Sequence, residues 1–348
     1  MKYFKVIINI TLLSLCFLLA ACDKPNTPAQ QVQKTTAEIR VLYVTSVGWF
    51  HDYQQQIKLL SSTIQQSINA DVDVIVGDVE RLKTTDFSKG YDLLVYNFCH
   101  AAQRDEQLVQ SLITPVTEKS IPAIALHCAM HSFQFDPQWS EFLGLHTLRH
   151  ETQRSFNIEK VGDHELVNDI SDTWEVASDE LYITLSENQK TTPLLKSFGV
   201  ETKAYHTQAW LYQSGKGQVI GTTLGHNEET LEDENFQLFL SNSIHYLLGK
   251  EVLAKELGPE TIKNKPSKVN VLTSNVNYPN ADEKKCVIHN MFSIGGEKVK
   301  ACISNRCDNS DNSADNASCT AQCQQDNPWP VPETLREDCQ NNVLNSPK

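Results

Sequence analysis

Between residues 39 and 126 short apolar runs alternate with stretches of helical period. Residues 39–45 read Ile-Arg-Val-Leu-Tyr-Val-Thr and close on Ser46-Val47-Gly48. A run so rich in β-branched and aromatic types, with a turn behind it, is a strand. Residues 53–69 then place Ile57, Leu60, Ile64 and Ile68 at helical spacing. Residues 72–76 form a second strand ending at Gly77, and residues 91–98 a third around the unbroken Leu93-Leu94-Val95. Residues 107–117 follow as a helix and residues 121–126 as a fourth strand. Alternating strands and helices with apolar strands predict a parallel sheet covered by helices on both faces. Ligands of such sheets sit beyond the carboxyl ends of the strands. Phe50-His51-Asp52, Asn97-Phe98-Cys99-His100 and His127-Cys128-Ala129-Met130-His131 all fall there.

The pattern then becomes richer in strands. Residues 175–185 contain Ser178-Asp179-Glu180-Leu181-Tyr182, and residues 209–224 read as a hairpin turning through Ser214-Gly215-Lys216-Gly217. The hairpin ends on Gly225-His226-Asn227-Glu228, and a helix follows with Phe236, Phe239, Leu240, Ile244 and Leu247 on one face. The folded domain is expected over residues 38–250.

The order of Gly48-Trp49-Phe50-His51-Asp52, Leu126-His127, Asp179-Glu180-Leu181-Tyr182 and Thr223-Leu224-Gly225-His226, with Ala209-Trp210 ahead of Gly215-Lys216-Gly217, resembles the ThuA-like (trehalose-utilisation) family. The resemblance covers about residues 38–249. It implies an α/β, flavodoxin-like fold related to class I glutamine amidotransferases, with a mostly parallel sheet and helices on both faces. It also implies a role in sugar metabolism, including oxidised (3-keto) disaccharides. The chain departs from the family pattern at strand four. Cys128 stands where glycine is common, and Ile121-Pro122-Ala123 replaces a glycine-rich lead-in.

His51, His127, Glu180 and His226 come from four segments that converge at one sheet edge. Three imidazoles and a carboxylate suit a divalent metal such as zinc, which can polarise a sugar carbonyl or activate water. The same groups without a metal suit acid–base chemistry near neutral pH, for example removal of the acidic proton beside a 3-keto group. Trp49, Asp52 and Tyr182 are the candidate substrate contacts. Trp139 and Trp210 are the other tryptophans considered for sugar stacking, and a packed core suits Trp210 better. His131 reads more simply as a hydrogen-bonded residue at a helix start. A rival reading makes Cys128 a nucleophile, with His226-Asn227-Glu228 giving the His-x-Glu spacing of amidotransferases. Flanking glycines are missing from that turn, and His127 fits the elbow position better in the family register. Cys128 can instead pair with Cys99, because both end neighbouring strands.

The ends of the chain add the compartment. Met1-Lys2-Tyr3-Phe4-Lys5 is a positive start, and residues 6–19 are nearly all apolar. That run is shorter than the ~18 residues of a spanning helix and reads as a signal-peptide core. It ends in Leu19-Ala20-Ala21-Cys22, which resembles a bacterial lipobox. Residues 1–21 are therefore expected to be cleaved, with Cys22 acylated and anchored in the membrane; an ordinary cleavage site is the plainer alternative. Asp23 resembles an inner-membrane retention signal, which puts the protein at the periplasmic face of the bacterial cell envelope. Residues 22–37, rich in Pro, Thr, Gln and Lys, read as a tether.

The 348 residues carry a net charge of −13, which argues against a nucleic-acid partner. Of the ten cysteines, six lie after residue 285. Residues 251–285, lysine-rich with three prolines, read as a linker. Residues 286–348 read as a small region in which up to three disulfides replace a core. Zinc is the rival there, but no Cys-x-x-Cys pair is present. Residues 308–316 repeat Asp, Asn and Ser without the glycine and glutamate of an EF-hand, and suit a solvated loop. This tail is expected to bind another protein, the cell wall or the sugar substrate.

Overall fold

The computed structural model describes residues 39–101, 103–256, 268–307, 319, 322–324, 326–327 and 329–345. The signal segment, Cys22, the tether and the Asp-Asn-Ser stretch at 308–316 lie outside the described residues. Among the described residues no helix is long and apolar enough to cross a membrane.

The first half follows the alternation read from the pattern. Strand β1 (Ile39–Thr45) leads to α1 (Tyr53–Ser67), β2 (Ala70–Val76), a short α2 (Val79–Leu82), β3 (Leu93–Asn97), α3 (Glu106–Thr117) and β4 (Ala123–Leu126). A 3₁₀ turn, His127–His131, and α4 (Pro137–Leu143) follow. Next come β5 (Leu145–His150), β6 (Arg154–Asn157), β7 (Glu159–Lys160), β8 (Glu175–Asp179), β9 (Tyr182–Glu187) and β10 (Thr192–Gly199). The expected hairpin is β11 (Ala204–Ser214) and β12 (Gly217–Thr222), followed by α5 (Glu228–Glu232) and α6 (Glu234–Glu256), the last broken at Gly249. Strand β13 (Val269–Val271) and the helices α7 (Ala281–Arg306) and α8 (Pro332–Asn345) close the chain.

Among the described residues nine strands form the main sheet, in the order β13-β2-β1-β3-β4-β12-β11-β10-β7. It is parallel from β13 to β12 and antiparallel from there to β7. The strands are apolar on both faces because both faces are covered. Val41, Tyr43, Val72, Val74, Val95 and Ile124 face a core that includes Ile57, Leu60 and Ile64 of α1 and Phe236, Phe239 and Ile244 of α6. Leu42, Val44, Leu94, Tyr96, Ala123 and Ala125 face the opposite core, with Leu108 and Leu112 of α3 and Trp139 and Phe142 of α4. Trp210 is fully buried in this second core and its indole N–H donates to the Leu143 carbonyl at 2.8 Å.

The stretch expected as a linker instead contributes β13. It extends the sheet beside β2, with Val269, Asn270 and Val271 opposite Val72, Asp73 and Val74. All three strand residues are exposed. The strand is held by main-chain pairing and by Asn270, whose amide donates to Asp73 at 2.8 Å. No apolar face is buried, so no hydropathy pattern marks it.

The tail is helical. Asn280 caps α7 in a reciprocal box with Glu283, and Glu283 also accepts from Gln340 at 2.6 Å and Arg336 at 3.3 Å on α8. Three disulfides, Cys286–Cys339, Cys302–Cys323 and Cys307–Cys319, use all six tail cysteines. The tail also packs on the α/β domain: Trp49, Val287, Met291, Leu335 and Cys339 form one apolar cluster.

Candidate functional site

The site is built at the carboxyl ends of β1 and β4, between β8 and β9, and just past β12. At the end of β4 the chain turns sharply, and His127 takes φ +46°, a left-handed conformation that a residue with a side chain adopts at a cost of about 1–3 kcal/mol. The elbow of this fold is therefore His127, not Cys128. Its Nδ1–H donates to the Thr223 carbonyl at 2.7 Å. A carbonyl can only accept, so the Nε2 lone pair is the one turned toward the other site residues. The same logic applies to His51, whose Nδ1–H donates to the His226 carbonyl at 3.3 Å.

Around His127 Nε2 lie Glu180 Oε2 at 3.4 Å and His226 Nδ1 at 3.3 Å. His226 Nδ1 is in turn 3.4 Å from the same Glu180 oxygen. The His51 ring stands edge-on to both other imidazoles, with centroids 4.8 Å from His127 and 5.0 Å from His226. Nitrogen atoms of all three histidines fall within 4.8 Å of one another.

Asp179 holds this arrangement in place. It is fully buried, and its carboxylate accepts from the main-chain N–H of Glu180 at 2.7 Å, Gly225 at 2.8 Å and His226 at 3.3 Å. Gly225 has φ +116°, a conformation that favours glycine, and so lets the chain bend back onto Asp179. From the other side, Asn97 donates to Gln56 at 3.0 Å, and Gln56 donates to the His226 carbonyl at 3.1 Å.

Electrostatics separate the members. Burial works against a charge on His127, but the hydrogen bond that the protonated ring donates to Glu180 and the charges of Asp179 and Glu180 outweigh it and raise its pKa. Burial also works against the Glu180 carboxylate, and contacts with His127 and His226 outweigh it, holding the acid far below its ordinary range. His51 is driven well below a normal imidazole by burial, and then by the neighbouring His127 and His226.

His51, Glu180 and His226 line a cavity of about 450 Å³. Tyr182, the Cys99–Cys128 disulfide, His131, His146, Arg149 and His150 line it too. So do Phe50, Gln134 and Phe135, and, from the tail, Met291, Phe292, Gln324 and Trp329.

The expected substrate contacts divide. Tyr182 lines the cavity, with its ring stacked 4.0 Å from that of His131. Asp52 is exposed and caps α1 by accepting from Gln55 N–H at 3.1 Å. Trp49 is buried under the tail, where its indole N–H donates to Glu333 at 2.8 Å. Glu333 and Leu335 of α8 pack over it. Cys128 is bonded to Cys99, which leaves no free thiol for the nucleophilic alternative. Sequence reasoning missed His146, Arg149 and His150. Their signal was a six-residue strand, β5, bearing three basic or titratable side chains. His131 was set aside, yet it lines the cavity in a stack with Tyr182 and His150.

The donor set fits a metal ion. Ligands at ~2.0–2.1 Å from a tetrahedral zinc stand about 3.3–3.4 Å apart along each edge. The three separations among His127, His226 and Glu180 are 3.3, 3.4 and 3.4 Å. Direct hydrogen bonds between charged partners would be shorter, at ~2.7–2.9 Å. The Nδ1–H bonds from His127 and His51 to backbone carbonyls are also the orientation that metal-binding imidazoles show.

Comparison with known proteins agrees with this architecture. A ThuA-like protein from Parabacteroides merdae superposes with a TM-score of 0.52 at 18% identity, over 61% of this chain and 90% of that one. A second, from Bacteroides uniformis, gives 0.51 at 14% identity, over 62% and 94%. These likenesses establish the fold, which is consistent with a glutamine amidotransferase-like architecture. None of the curated proteins matches the chain. The family model for ThuA, trehalose utilisation, matches residues 40–247, the segment that carries all four members of the histidine and carboxylate cluster, and the chain therefore belongs to the ThuA family.

Proposed function

We propose that the protein is an enzyme acting on a carbohydrate-derived carbonyl compound, a 3-keto sugar being the favoured case. The observation that carries this reading is the convergence of His127, His226 and Glu180 at 3.3–3.4 Å, with Glu180 and His226 lining a cavity of about 450 Å³. His127, His226 and Glu180 would hold a divalent ion such as zinc, whose contribution is to draw electron density from a carbonyl oxygen. Glu180 stays ionised, His127 presents Nε2 because its Nδ1–H is held by the Thr223 carbonyl, and His226 presents Nδ1. His51 is kept in its free-base form by burial and lines the cavity beside them. It is placed to accept the proton of the carbon next to the carbonyl. Asp179, which holds Glu180 and His226 through their main-chain N–H groups, positions both.

The test is turnover of oxidised disaccharides by the purified mature protein, with metal content measured by mass spectrometry. His127→Ala and His226→Ala are each expected to lower kcat/KM by roughly a hundredfold or more. Unchanged turnover in both variants overturns the catalytic reading. Retained sugar binding without turnover in the wild type makes the protein a binding or scaffolding lipoprotein instead.

We further propose that the mature chain begins at an acylated Cys22 and works at the periplasmic face of the envelope, on the inner membrane as Asp23 suggests. The lipobox-like Leu19-Ala20-Ala21-Cys22 supports this. So do the four disulfides among the described residues, since such bonds persist in oxidising compartments. Cys22→Ser is expected to move the protein from the membrane to the soluble fraction; a membrane-bound Cys22→Ser protein would refute the anchor.

A further inference from the structure

The tail lies outside the family segment, yet it supplies part of the cavity wall. Phe292 of α7 is 53% exposed. Its ring meets Trp329 edge-on, with centroids 4.6 Å apart and planes at 82°. Both rings line the cavity that Glu180 and His226 also line. Trp329 is seated by a specific feature of α7: a Cβ at Gly295 would lie 2.7 Å from the indole, so only glycine lets the ring rest against the helix. The disulfides Cys286–Cys339 and Cys302–Cys323 then fix the two segments that carry these rings. The result is an exposed Phe292 ring braced by a partly buried Trp329, both lining the same cavity as Glu180 and His226.

We propose that this aromatic pair is a sugar-binding subsite. The exposed Phe292 ring stacks on the C–H face of a second ring, one that does not react, and Trp329, set at 82° to it, braces it from the side, so that the preferred ligand is a disaccharide or glycoside rather than a monosaccharide. The inference rests on the carbohydrate reading above and goes beyond it by assigning the tail a part in recognition. At about 450 Å³ the cavity falls within the range, ~300–1,000 Å³, of sites that enclose ligands of disaccharide size.

The experiment is titration calorimetry of the oxidised, full mature protein with trehalose and with glucose. Wild type is expected to bind trehalose about tenfold more tightly than glucose, the discrimination one aromatic contact supplies. Trp329→Ala and Phe292→Ala each erase most of that preference, and Trp329→Tyr keeps it. Gly295→Ala pushes the indole off the helix and is expected to weaken trehalose binding, with a urea melt of the same variant showing that the fold is retained. If an oxidised disaccharide is turned over, the loss in Trp329→Ala falls on KM rather than kcat. Equal affinity for trehalose and glucose in wild type, or a preference untouched by Trp329→Ala, overturns the subsite. A preference that depends on Trp329 in a protein that turns nothing over would sink the catalytic reading and leave the subsite standing.

Discussion

Asp179 shows how one residue can organise a site without touching the cavity. Its two carboxylate oxygens take three main-chain N–H groups, one from the Glu180 segment and two from the loop at 225–226, 46 and 47 residues away. An asparagine has only one oxygen, so its amide would face an N–H donor and leave it buried without an acceptor. Asp179→Asn is therefore expected to cost about 1–3 kcal/mol in urea unfolding. It is also expected to lower kcat/KM roughly tenfold to a hundredfold, the usual penalty for loosening a residue behind a site. Because the aromatic rings above are held by the tail, the trehalose preference should survive; a variant with full activity would show that Asp179 has no positioning role. The sequence displayed Asp179 beside Glu180 in a motif, but which one faced the cavity was not readable. That distinction depends on a loop closing from the far side of β12. His51, His127 and His226 were readable because each follows a strand whose end the pattern marked, and Glu180 because it sits in the Asp-Glu-Leu-Tyr motif; the break between β8 and β9 that exposes it was not.

At the scale of elements, the edge strand β13 is the clearest case of structure without a hydropathy signature. Its docking depends on Asp73 of β2, which accepts from Arg40 at 2.6 Å, Tyr91 at 2.7 Å and Asn270 at 2.8 Å. Burial alone would raise the Asp73 pKa, but the hydrogen bonds from Asn270, Tyr91 and Arg40 outweigh it and the value is lowered. The sign of the linkage follows. A carboxylate with a depressed folded pKa stabilises the fold above its unfolded value of ~3.9, and that contribution disappears as pH falls through the folded value. Wild type is thus expected to lose stability on going from pH 5 toward pH 2, in part through this group. Asp73→Asn should be about 1–3 kcal/mol less stable at pH 7 and should lose less on acidification. Urea titrations of both proteins at several pH values check this; parallel pH profiles would remove Asp73 from the account. The long strands and α1, α3 and α6 were legible because they bury apolar faces, as Val41 and Ile57 do in one core. β13 buries none, so a reading based on hydropathy saw only lysines and prolines.

For the whole molecule, the question is how a family domain and a cysteine-rich tail make one cavity. The tail has little core of its own: Val287, Met291 and Leu335 are buried against Trp49 and one another. Its cysteine content announced the crosslinks, but not that the crosslinked unit would settle over the loop carrying Trp49. The partner surface is a buried tryptophan whose sequence setting pointed to a ligand contact. Docking of α8 rests on the Trp49–Glu333 hydrogen bond, the Arg336 guanidinium 5.4 Å from the Trp49 ring, and the Cys286–Cys339 bond. That bond spans 53 residues, a loop whose closure removes about 4 kcal/mol of chain entropy from the undocked state. Replacing both cysteines by serine should therefore let α8 open locally, with amide exchange in α8 accelerating by roughly a thousandfold or less according to how much of that 4 kcal/mol is realised. Amides of β1 and β3, which pair only with strands of the α/β domain and not with β13, should exchange as in wild type. Exchange in α8 that does not change would mean that Trp49, Glu333 and the small apolar cluster hold the tail unaided. Exchange that rises equally in the sheet would mean that tail and domain unfold as a single cooperative unit.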